Sequence, residues 1–249
     1  MFQYSQYSED ACMVYSKLPV YKNKVKKTIM NIKEMLKIVD EPYVAFSCGK
    51  DSSVLADLVL QIDSKIPLRF ISRGETRIIY NVDDVIDYFI KKYNANVEEI
   101  LFDRIFSEDW KGATFQEQFE AGKNDIRGIN NEGYNGVFMG LRKDENRKRK
   151  ISLTVHNNSE LPNLYKYAER EYYRMCPLAD WKTEDIGAYL TEHKIPILNW
   201  YKNFGFEART ASRINSEALR QNTLFYIKAT NPEGYSKLIK RFPELGAMT

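Results

Sequence analysis

Residues 47–53, with the sequence Ser-Cys-Gly-Lys-Asp-Ser-Ser, carry residue types suited to holding an anion. They stand between a short apolar run and an apolar helical pattern, and such a strand-to-helix turn presents backbone N–H groups and the positive end of a helix dipole. Gly49 allows the backbone to bend and to approach a phosphate closely. Ser47 and Ser52 add hydroxyl groups, and Lys50 adds a positive charge. The segment therefore predicts a phosphate-binding loop.

Two members of this loop need separate interpretations. Asp51 carries a negative charge, which repels phosphate unless the carboxylate positions donors or binds Mg²⁺. Cys48 lies close to a helix N-terminus, which can lower the pKa of a thiol, but a small residue tolerated at a variable loop position is the simpler interpretation. We expect an anion to lie within about 2.7–3.2 Å of the backbone N–H groups from Gly49 to Ser53.

The elements that position this loop alternate between strand and helix patterns. The sequence predicts strands at residues 43–46, 67–72, 97–102 and 136–139, and helices at residues 24–39, 53–62 and 82–93. This alternation implies parallel βαβ units, so the predicted fold class is α/β, with a doubly wound, mostly parallel sheet. Further helices are predicted from Thr183, over residues 212–224 and near residues 235–241. Residues 107–135 are interpreted as helix plus mobile loop.

A second group of candidate residues follows the fourth predicted strand, in the sequence Gly-Leu-Arg-Lys-Asp-Glu-Asn-Arg-Lys-Arg from Gly140 to Arg149. Arg142 and Arg149 offer planar, permanently charged groups that suit phosphate or sulfate oxygens. Ligands bind outside the carboxyl ends of the strands in open α/β sheets, so Arg142 is expected to face the same crevice as the loop. The neighbouring Lys148 and Lys150 are interpreted as a solvated charge run.

A third segment, residues 176–186, reads Cys-Pro-Leu-Ala-Asp-Trp-Lys-Thr-Glu-Asp-Ile. Trp181 is predicted to cover apolar surface, and Asp180 and Thr183 are predicted to cap the helix that follows. Asp180 is also the residue of this segment that we expect to face a ligand.

Together, the three segments resemble the motifs of phosphoadenylylsulfate (PAPS) reductases and of their relatives in the PP-loop superfamily of ATP pyrophosphatases. The family motifs are S-x-G-K-D-S, G-x-R-x-x-E-S-x-x-R and P-L-x-D-W-x-x-x-D-V/I, and they occur here in the family's order within residues 43–205. Asn146 stands where the second motif has serine. The resemblance implies a Rossmann-like nucleotide-binding domain at residues 42–205, between helical extensions at residues 1–41 and 206–249.

The resemblance also implies a function. Enzymes of this type bind ATP with Mg²⁺, let an acceptor attack the α-phosphorus and release pyrophosphate. By the same resemblance Lys50, Asp51 and Arg142 would act in catalysis, and Asp51 would bind the metal ion. The nucleotide would contact Ser47, Cys48, Gly49, Lys50, Asp51, Ser52, Ser53, Gly140, Arg142, Arg149 and Asp180.

Two alternatives stay open. One is a sulfonucleotide enzyme, either PAPS reductase or the small subunit of sulfate adenylyltransferase, which needs a GTPase partner. PAPS reductases attack sulfur with a cysteine in an E-C-G-L/I-H context, and iron–sulfur members carry further cysteines. Here no cysteine follows Cys176 and residues 209–213 read Arg-Thr-Ala-Ser-Arg, which argues against sulfite formation. The other alternative is a nucleotide-sensing module without turnover.

The composition of the chain limits its possible partners and its cellular setting. A net charge of +3 does not indicate nucleic acid binding, although it leaves it open, because neutralising a nucleic acid backbone needs a concentrated basic face. The dispersed cysteines and the absence of a leader or spanning pattern predict a reducing, cytoplasmic setting without a membrane partner. The expected partners are an adenine nucleotide and an acceptor, with a protein partner or a homo-oligomer left open. His193 is interpreted as a helix-dipole partner and His156 as a surface residue.

Overall fold

The computed structural model of the protein describes residues 3–4, 7–102, 107–108, 112–114, 117, 133–155, 161–167, 171–208 and 217–246. The chain divides into two compact units. The larger comprises Met1–Phe70, Asp84–Glu98 and Asn131–Glu207, and the smaller comprises Ile71–Asp83, Glu99–Asn130 and Ala208–Thr249. All candidate site residues belong to the larger unit. The domain boundaries predicted at residues 41/42 and 205/206 stay a prediction.

Eight strands are described, in two sheets. A short antiparallel pair consists of β1 (Gln3–Tyr4) and β2 (Tyr7–Ser8). The main sheet has the order β5-β4-β3-β6-β8-β7 and consists of β3 (Pro42–Phe46), β4 (Leu68–Arg73), β5 (Val97–Phe102), β6 (Gly136–Phe138), β7 (Leu164–Lys166) and β8 (Tyr173–Met175). Strand β3 is parallel to both β4 and β6, β6 is parallel to β8, and β7 is antiparallel to β8. The predicted α/β class with a mostly parallel sheet is confirmed.

The strand order contains one reversal that matters for function. From β3 the chain moves to β4 and β5 on one side, and then returns to place β6 on the other side of β3. In open α/β sheets such a switch point leaves a crevice at the carboxyl ends of the two strands, and ligands bind there. The turns that follow β3 and β6 carry the first and second candidate segments, so the topology brings these segments together.

Eleven α-helices are described. In chain order they are α1 (Glu9–Ser16), α2 (Pro19–Met35), α3 (Lys50–Leu60), α4 (Thr76–Ile79), α5 (Val82–Tyr93), α6 (Arg147–Val155), α7 (Thr183–Glu192), α8 (Asn199–Phe204), α9 (Glu217–Thr230), α10 (Pro232–Arg241) and α11 (Pro243–Gly246). A 3-10 turn covers Lys143–Glu145. In helix α3 no residue from Val54 to Leu60 is more than 2% exposed. A helix buried on all sides fixes the position of its own first turn, which is the turn of the candidate loop.

Several predicted bounds differ from the observed ones in an informative way. Helix α5 and strand β5 have the predicted bounds. Helix α3 begins at Lys50 instead of Ser53, so residues 50–52 form its first turn. Helix α2 begins at Pro19 and not near residue 24, because proline suits the first helical position. Strands β7 and β8 were missed, since three residues are too few to show a periodicity.

The C-terminal predictions are met in part. The helix predicted over residues 212–224 is α9, Glu217–Thr230, and its predicted start lies outside the described residues. The helix predicted near residues 235–241 is α10, whose first turn is capped by Asn231. His156, residues 209–213 and most of residues 107–135 also lie outside the described residues. In the part of the chain that is described, no helix combines the length and the apolar character needed to cross a bilayer.

Candidate functional site

The loop between β3 and α3 bends at Cys48. This residue has φ 57°, in the left-handed region that non-glycine residues seldom adopt. Gly49, which the sequence suggested as the point of bending, is extended, with φ −74° and ψ 159°. The prediction that Gly49 makes the bend is therefore wrong. Cys48 is only 1% exposed, so its side chain is held in the interior while the backbone turns.

The serine hydroxyls close the loop on itself. Ser47 Oγ and Ser52 Oγ are 3.0 Å apart, and the Ser47 N–H donates to Ser52 Oγ at 3.2 Å. Ser52 Oγ in turn donates to the carbonyl of Gly49 at 3.0 Å. These contacts hold the shape of the turn. Ser53 Oγ is buried without a hydrogen-bond partner among the described residues.

The first turn of α3 presents backbone donors. Its first helical hydrogen bond runs from the Ser53 N–H to the Gly49 carbonyl at 2.9 Å, so the N–H groups of residues 50–52 precede the helical ladder. The Lys50 N–H donates instead to Tyr201 Oη, at 3.2 Å. The sequence alone did not point to Tyr201 as a member of the site. The structure places Tyr201 in the site.

The side chain of Lys50 is also enclosed. Its ammonium group lies 2.9 Å from Asp51 Oδ2 and 5.5 Å and 5.7 Å from the ring centroids of Tyr201 and Phe206. Cations are attracted to aromatic ring faces at such distances. Lys50 is 9% exposed, so its charge is balanced by one carboxylate and two rings with little contribution from water.

Arg142 reaches the loop from the turn after β6. Its Nε donates to Asp51 Oδ1 at 2.6 Å, and its Nη1 donates to Asp144 Oδ2 at 3.3 Å and to Thr183 Oγ1 at 3.4 Å. The residue is 2% exposed. The expectation that Arg142 faces the same crevice as the loop is confirmed, and its direct partner there is Asp51.

Gly140 lies against the first turn of α3. A Cβ atom at this position would stand 3.0 Å from both the carbonyl carbon and the carbonyl oxygen of Asp51, and 3.2 Å from the Ser52 nitrogen. These are backbone atoms, which cannot move aside as the end of a side chain can. The absence of a side chain at Gly140 therefore allows the two turns to approach each other.

Two further candidate site residues, Arg149 and Asp180, make contacts outside the loop. Arg149 is half exposed in the first turn of α6, with its Nε 3.8 Å from Glu145 Oε2. Asp180 accepts from Lys143 Nζ at 2.7 Å and from Asn163 at 3.3 Å. Burial alone would raise the pKa of Asp180, but these two donors lower it below its usual value. Among the described contacts, neither residue bonds to residues 47–53, and their roles toward a ligand stay predictions.

The predicted cap of α7 is wrong. Helix α7 begins at Thr183, and two carboxylates accept at its start: Asp185 takes the Lys182 N–H at 2.7 Å, and Asp144 takes the Thr183 N–H at 3.2 Å. Asp185 is fully buried and also accepts from Tyr15 and Lys24. Lys182 is the N-cap residue, and the Asp185 carboxylate three residues later accepts its N–H as in the second half of a capping box. Asp180 and Thr183 therefore do not have the capping role that was predicted for them.

Helix α3 is anchored at its centre by a residue that the sequence did not single out. The Asp57 carboxylate, 0% exposed, accepts from Lys92 Nζ at 2.8 Å and from Tyr93 Oη at 2.8 Å. It also accepts from Tyr189 Oη at 2.9 Å. Because Lys92 and Tyr93 belong to α5 and Tyr189 to α7, one buried charge ties α3 to two other helices. A lone aspartate within an apolar helical run was the available signal.

The contacts of Asp51 do not fit the predicted magnesium ligand. Both of its oxygens accept from cationic groups, Arg142 Nε and Lys50 Nζ, and a divalent cation would have to displace one of them. No group of three or more acidic, histidine or cysteine side chains suited to a metal ion lies together in the residues that the structure describes. A magnesium ion at this site would depend mainly on phosphate oxygens.

The sequence has recognisable relatives. A model of the phosphoadenosine phosphosulfate reductase domain matches residues 41–241. The phosphoadenosine 5'-phosphosulfate reductase of Buchnera aphidicola subsp. Acyrthosiphon pisum is 25% identical over 202 residues, covering 72% of this chain and 74% of that protein. Sulfate adenylyltransferase subunit 2 of Sulfurimonas denitrificans is 24% identical over 208 residues, covering 74% of this chain and 68% of that protein.

Two solved structures are similar to this chain. The U34-tRNA thiolase NcsA from Methanococcus maripaludis, with its 4Fe-4S cluster, superposes with a TM-score of 0.51 at 15% identity, covering 91% of this chain and 80% of that chain. The phosphate complex of PAPS reductase from Candida auris gives a TM-score of 0.46 at 16% identity, covering 78% of this chain and 91% of that chain. The domain match over residues 41–241 shows that the chain belongs to the phosphoadenosine phosphosulfate reductase domain family, within the PP-loop superfamily.

Proposed function

We propose that the protein is a cytoplasmic PP-loop enzyme that binds ATP or a related adenine nucleotide and activates an acceptor with release of pyrophosphate. The observation that carries the proposal is the convergence of the first turn of α3, Lys50 and Arg142 at the switch point between β3 and β6. A helix N-terminus attracts phosphate through its N–H groups and its dipole. The cysteines, which are few and lie far apart in the sequence, fit a reducing compartment.

In the proposed reaction an acceptor atom attacks the α-phosphorus, the bond from that phosphorus to its bridging oxygen breaks, and pyrophosphate leaves with the electron pair. The N–H groups of residues 50–52 and the Lys50 ammonium stabilise the charge that grows on the leaving group. Lys50 shares Asp51 with Arg142, so Lys50 can turn towards a phosphate while Asp51 keeps a partner. Arg142 neutralises charge on the transferred group or on the acceptor.

Sulfate is one candidate acceptor, and the similarity to sulfate adenylyltransferase subunit 2 favours it. Sulfate would attack the α-phosphorus at the same site and needs no thiol from the protein. This second candidate function would require a GTPase partner protein, as the family resemblance implies. A sulfate-dependent reaction is therefore tested both with the chain alone and with such a partner added.

Sulfite formation from PAPS is not supported by the thiols of this chain. Cys12, Cys48 and Cys176 are all buried, and burial raises the pKa of Cys12 to about 11 and that of Cys176 to about 12. A thiol that stays protonated is a poor nucleophile. We expect no thioredoxin-dependent sulfite from PAPS. Sulfite release by the protein would contradict this expectation, and release by a variant with all three cysteines changed to serine would also contradict its reason.

The direct test incubates the protein with ATP, Mg²⁺ and one acceptor at a time, and measures pyrophosphate and AMP. Acceptor-dependent pyrophosphate supports the proposal, and dependence on sulfate identifies the adenylyltransferase reaction. ATP binding with no product under any condition identifies a nucleotide-sensing module instead. Lys50→Ala should weaken ATP binding, whereas Lys148→Ala, which removes an exposed lysine of α6, should not. A protein that binds neither ATP nor PAPS contradicts the proposal.

A second test locates the anion. In a crystal grown with ATP or pyrophosphate, phosphate oxygens should lie within about 2.7–3.2 Å of backbone N–H groups between Gly49 and Ser53. A nucleotide complex with its phosphates elsewhere would exclude this loop as the phosphate site.

A further inference from the structure

We propose that the phenol oxygen of Tyr201 occupies the position that a phosphate oxygen takes at the start of α3, so that ligand binding displaces it. The inference rests on the proposed function, because it assumes that phosphates reach this turn. Its starting point is the buried hydrogen bond from the Lys50 N–H to Tyr201 Oη, at 3.2 Å. Tyr201 lies in α8, 151 residues further along the chain, so the contact is made by the tertiary fold.

The Lys50 N–H is one of the donors that a helix leaves unpaired at its N-terminus. The amides of residues 50–52 all precede the first helical hydrogen bond, from Ser53 to Gly49. A phosphate bound at this turn would use these same amides. The neutral phenol oxygen of Tyr201 is therefore the acceptor for one of the N–H donors of the candidate phosphate site.

The Tyr201 side chain also contacts the ammonium group of Lys50, which is the second hydrogen-bond donor of that residue. The Lys50 ammonium lies 5.5 Å from the Tyr201 ring centroid. The ring packs in the interior, since Tyr201 is 4% exposed and its centroid is 6.1 Å from that of Phe206. The oxygen of Tyr201 thus engages the backbone donor of Lys50 while the ring engages the charged one. Both are groups that the proposed reaction uses on phosphate.

The physical consequence is a competition. Hydrogen bonds to a charged acceptor are about twice as strong as those to a neutral one, so a phosphate oxygen replaces the phenol, whereas a neutral ligand oxygen gains little by doing so. In the absence of ligand the phenol keeps a buried N–H group satisfied, which would otherwise be costly. Tyr201 thereby selects for anionic ligands and lowers the affinity for them.

Tyr201→Phe tests this, because it keeps the ring and removes only the competing oxygen. Calorimetry with ATP and with pyrophosphate should show binding roughly 3- to 10-fold tighter than that of the wild type, the factor that corresponds to one hydrogen bond. The ligand-free variant should unfold at a lower temperature. Tyr165→Phe is the matched control, since it removes a buried hydrogen bond to the Leu153 carbonyl at 2.8 Å. It should lower the unfolding temperature without changing affinity.

The possible outcomes separate the inference from the proposed function. If the wild type binds ATP and Tyr201→Phe binds it equally or more weakly, the inference is overturned and the proposed function is left intact. Weaker binding would show that Tyr201 supports Lys50 instead of competing with the ligand. No binding by either protein contradicts the proposed function and the inference together. If Tyr201→Phe fails to fold, NMR measurement of the wild-type amide resonances decides the question. Pyrophosphate should then shift Lys50 along with Asp51 and Ser52, and an unshifted Lys50 beside shifted neighbours overturns the inference.

Discussion

The Nε atom of Arg142 lies 2.6 Å from Oδ1 of Asp51, and this ion pair joins the turn after β6 to the turn after β3. The second oxygen of Asp51 accepts from Lys50 at 2.9 Å. The Arg142 side chain is 3% exposed and that of Asp51 is 20% exposed. A pair so shielded from water is sensitive to the loss of either member, because the remaining charge stays buried. Asp51 thus orients the two cations of the candidate site.

Asp51→Asn should destabilise the ligand-free protein. The substitution keeps the size of the side chain but leaves the Arg142 charge with Asp144 as its remaining carboxylate, 3.3 Å away. We expect the free energy of unfolding to fall by roughly 2–4 kcal/mol. This is at or below the usual cost of breaking a buried ion pair, because Asp144 remains as a partner of Arg142. Urea unfolding without ligand measures it, and Asp40→Asn, at an exposed position, should change stability by less than about 0.5 kcal/mol. An Asp51 that served only as a metal ligand would give no loss in the absence of metal.

Arg142→Lys should impair nucleotide binding or pyrophosphate release although it keeps the charge. Arg142 uses Nε toward Asp51 and Nη1 toward Asp144 and Thr183, and a lysine has no planar fork to reach both directions. Loss of a buried, charge-assisted contact costs about 2–5 kcal/mol, or roughly 30- to 4,000-fold. Lys148→Ala and Lys150→Ala, at exposed positions of α6, should stay within a few fold of the wild type in the same assays. Equal effects of all three substitutions would reduce the segment to a charged surface.

Gly140→Ala should disturb the loop without touching any side chain that binds a ligand. The new methyl group would meet the Asp51 carbonyl at 3.0 Å, and overpacking of this kind costs about 1–3 kcal/mol. We expect lower stability together with weaker ATP binding, since the first turn of α3 must shift. Gly246→Ala is the control, because the described contact of its methyl group would be with a side-chain methyl group, Cγ2 of Ile239, at 3.2 Å, and not with backbone. Unchanged ATP affinity in Gly140→Ala would separate this contact from the site.

The sequence predicted those parts of the fold that local patterns specify. Helix α5 has its apolar residues at helical spacing on one face over three turns, and its predicted bounds match the observed Val82–Tyr93. The turn after β3 could be found because strand, glycine-containing turn and apolar helix follow one another within 20 residues of sequence. Arg142 could be placed because the carboxyl ends of neighbouring parallel strands meet at one sheet edge.

The remaining features depend on contacts between distant residues, which no local pattern shows. Tyr201 and Lys50 are 151 positions apart, and Asp57 and Tyr189 are 132 positions apart. The bend at Cys48 instead of Gly49 is another example, because a strained φ angle is maintained by the surrounding packing and not by the residue's own preference. The cap by Asp185 was missed for a simpler reason: two nearer polar residues competed for the role.

His193 should make the stability of the protein fall as the pH drops below about 6.5. Burial against Tyr189, whose ring centroid is 4.0 Å away, lowers the pKa of His193 below its ordinary value, an effect that Asp57 and Glu192 oppose and Lys92 reinforces. A histidine with a lowered folded-state pKa contributes its stability above the unfolded-state value of about 6.5 and loses it as the pH falls, because the unfolded chain then binds the proton more readily. The loss cannot exceed about 1.4 kcal/mol per pH unit. His193→Phe keeps an aromatic ring against Tyr189 but cannot take up a proton, and other titrating groups affect both proteins alike. Thermal unfolding at pH 7.5, 6.5, 5.5 and 5.0 should therefore show a steeper decline for the wild type than for the variant, and parallel curves would show that His193 titrates alike in the folded and unfolded chain.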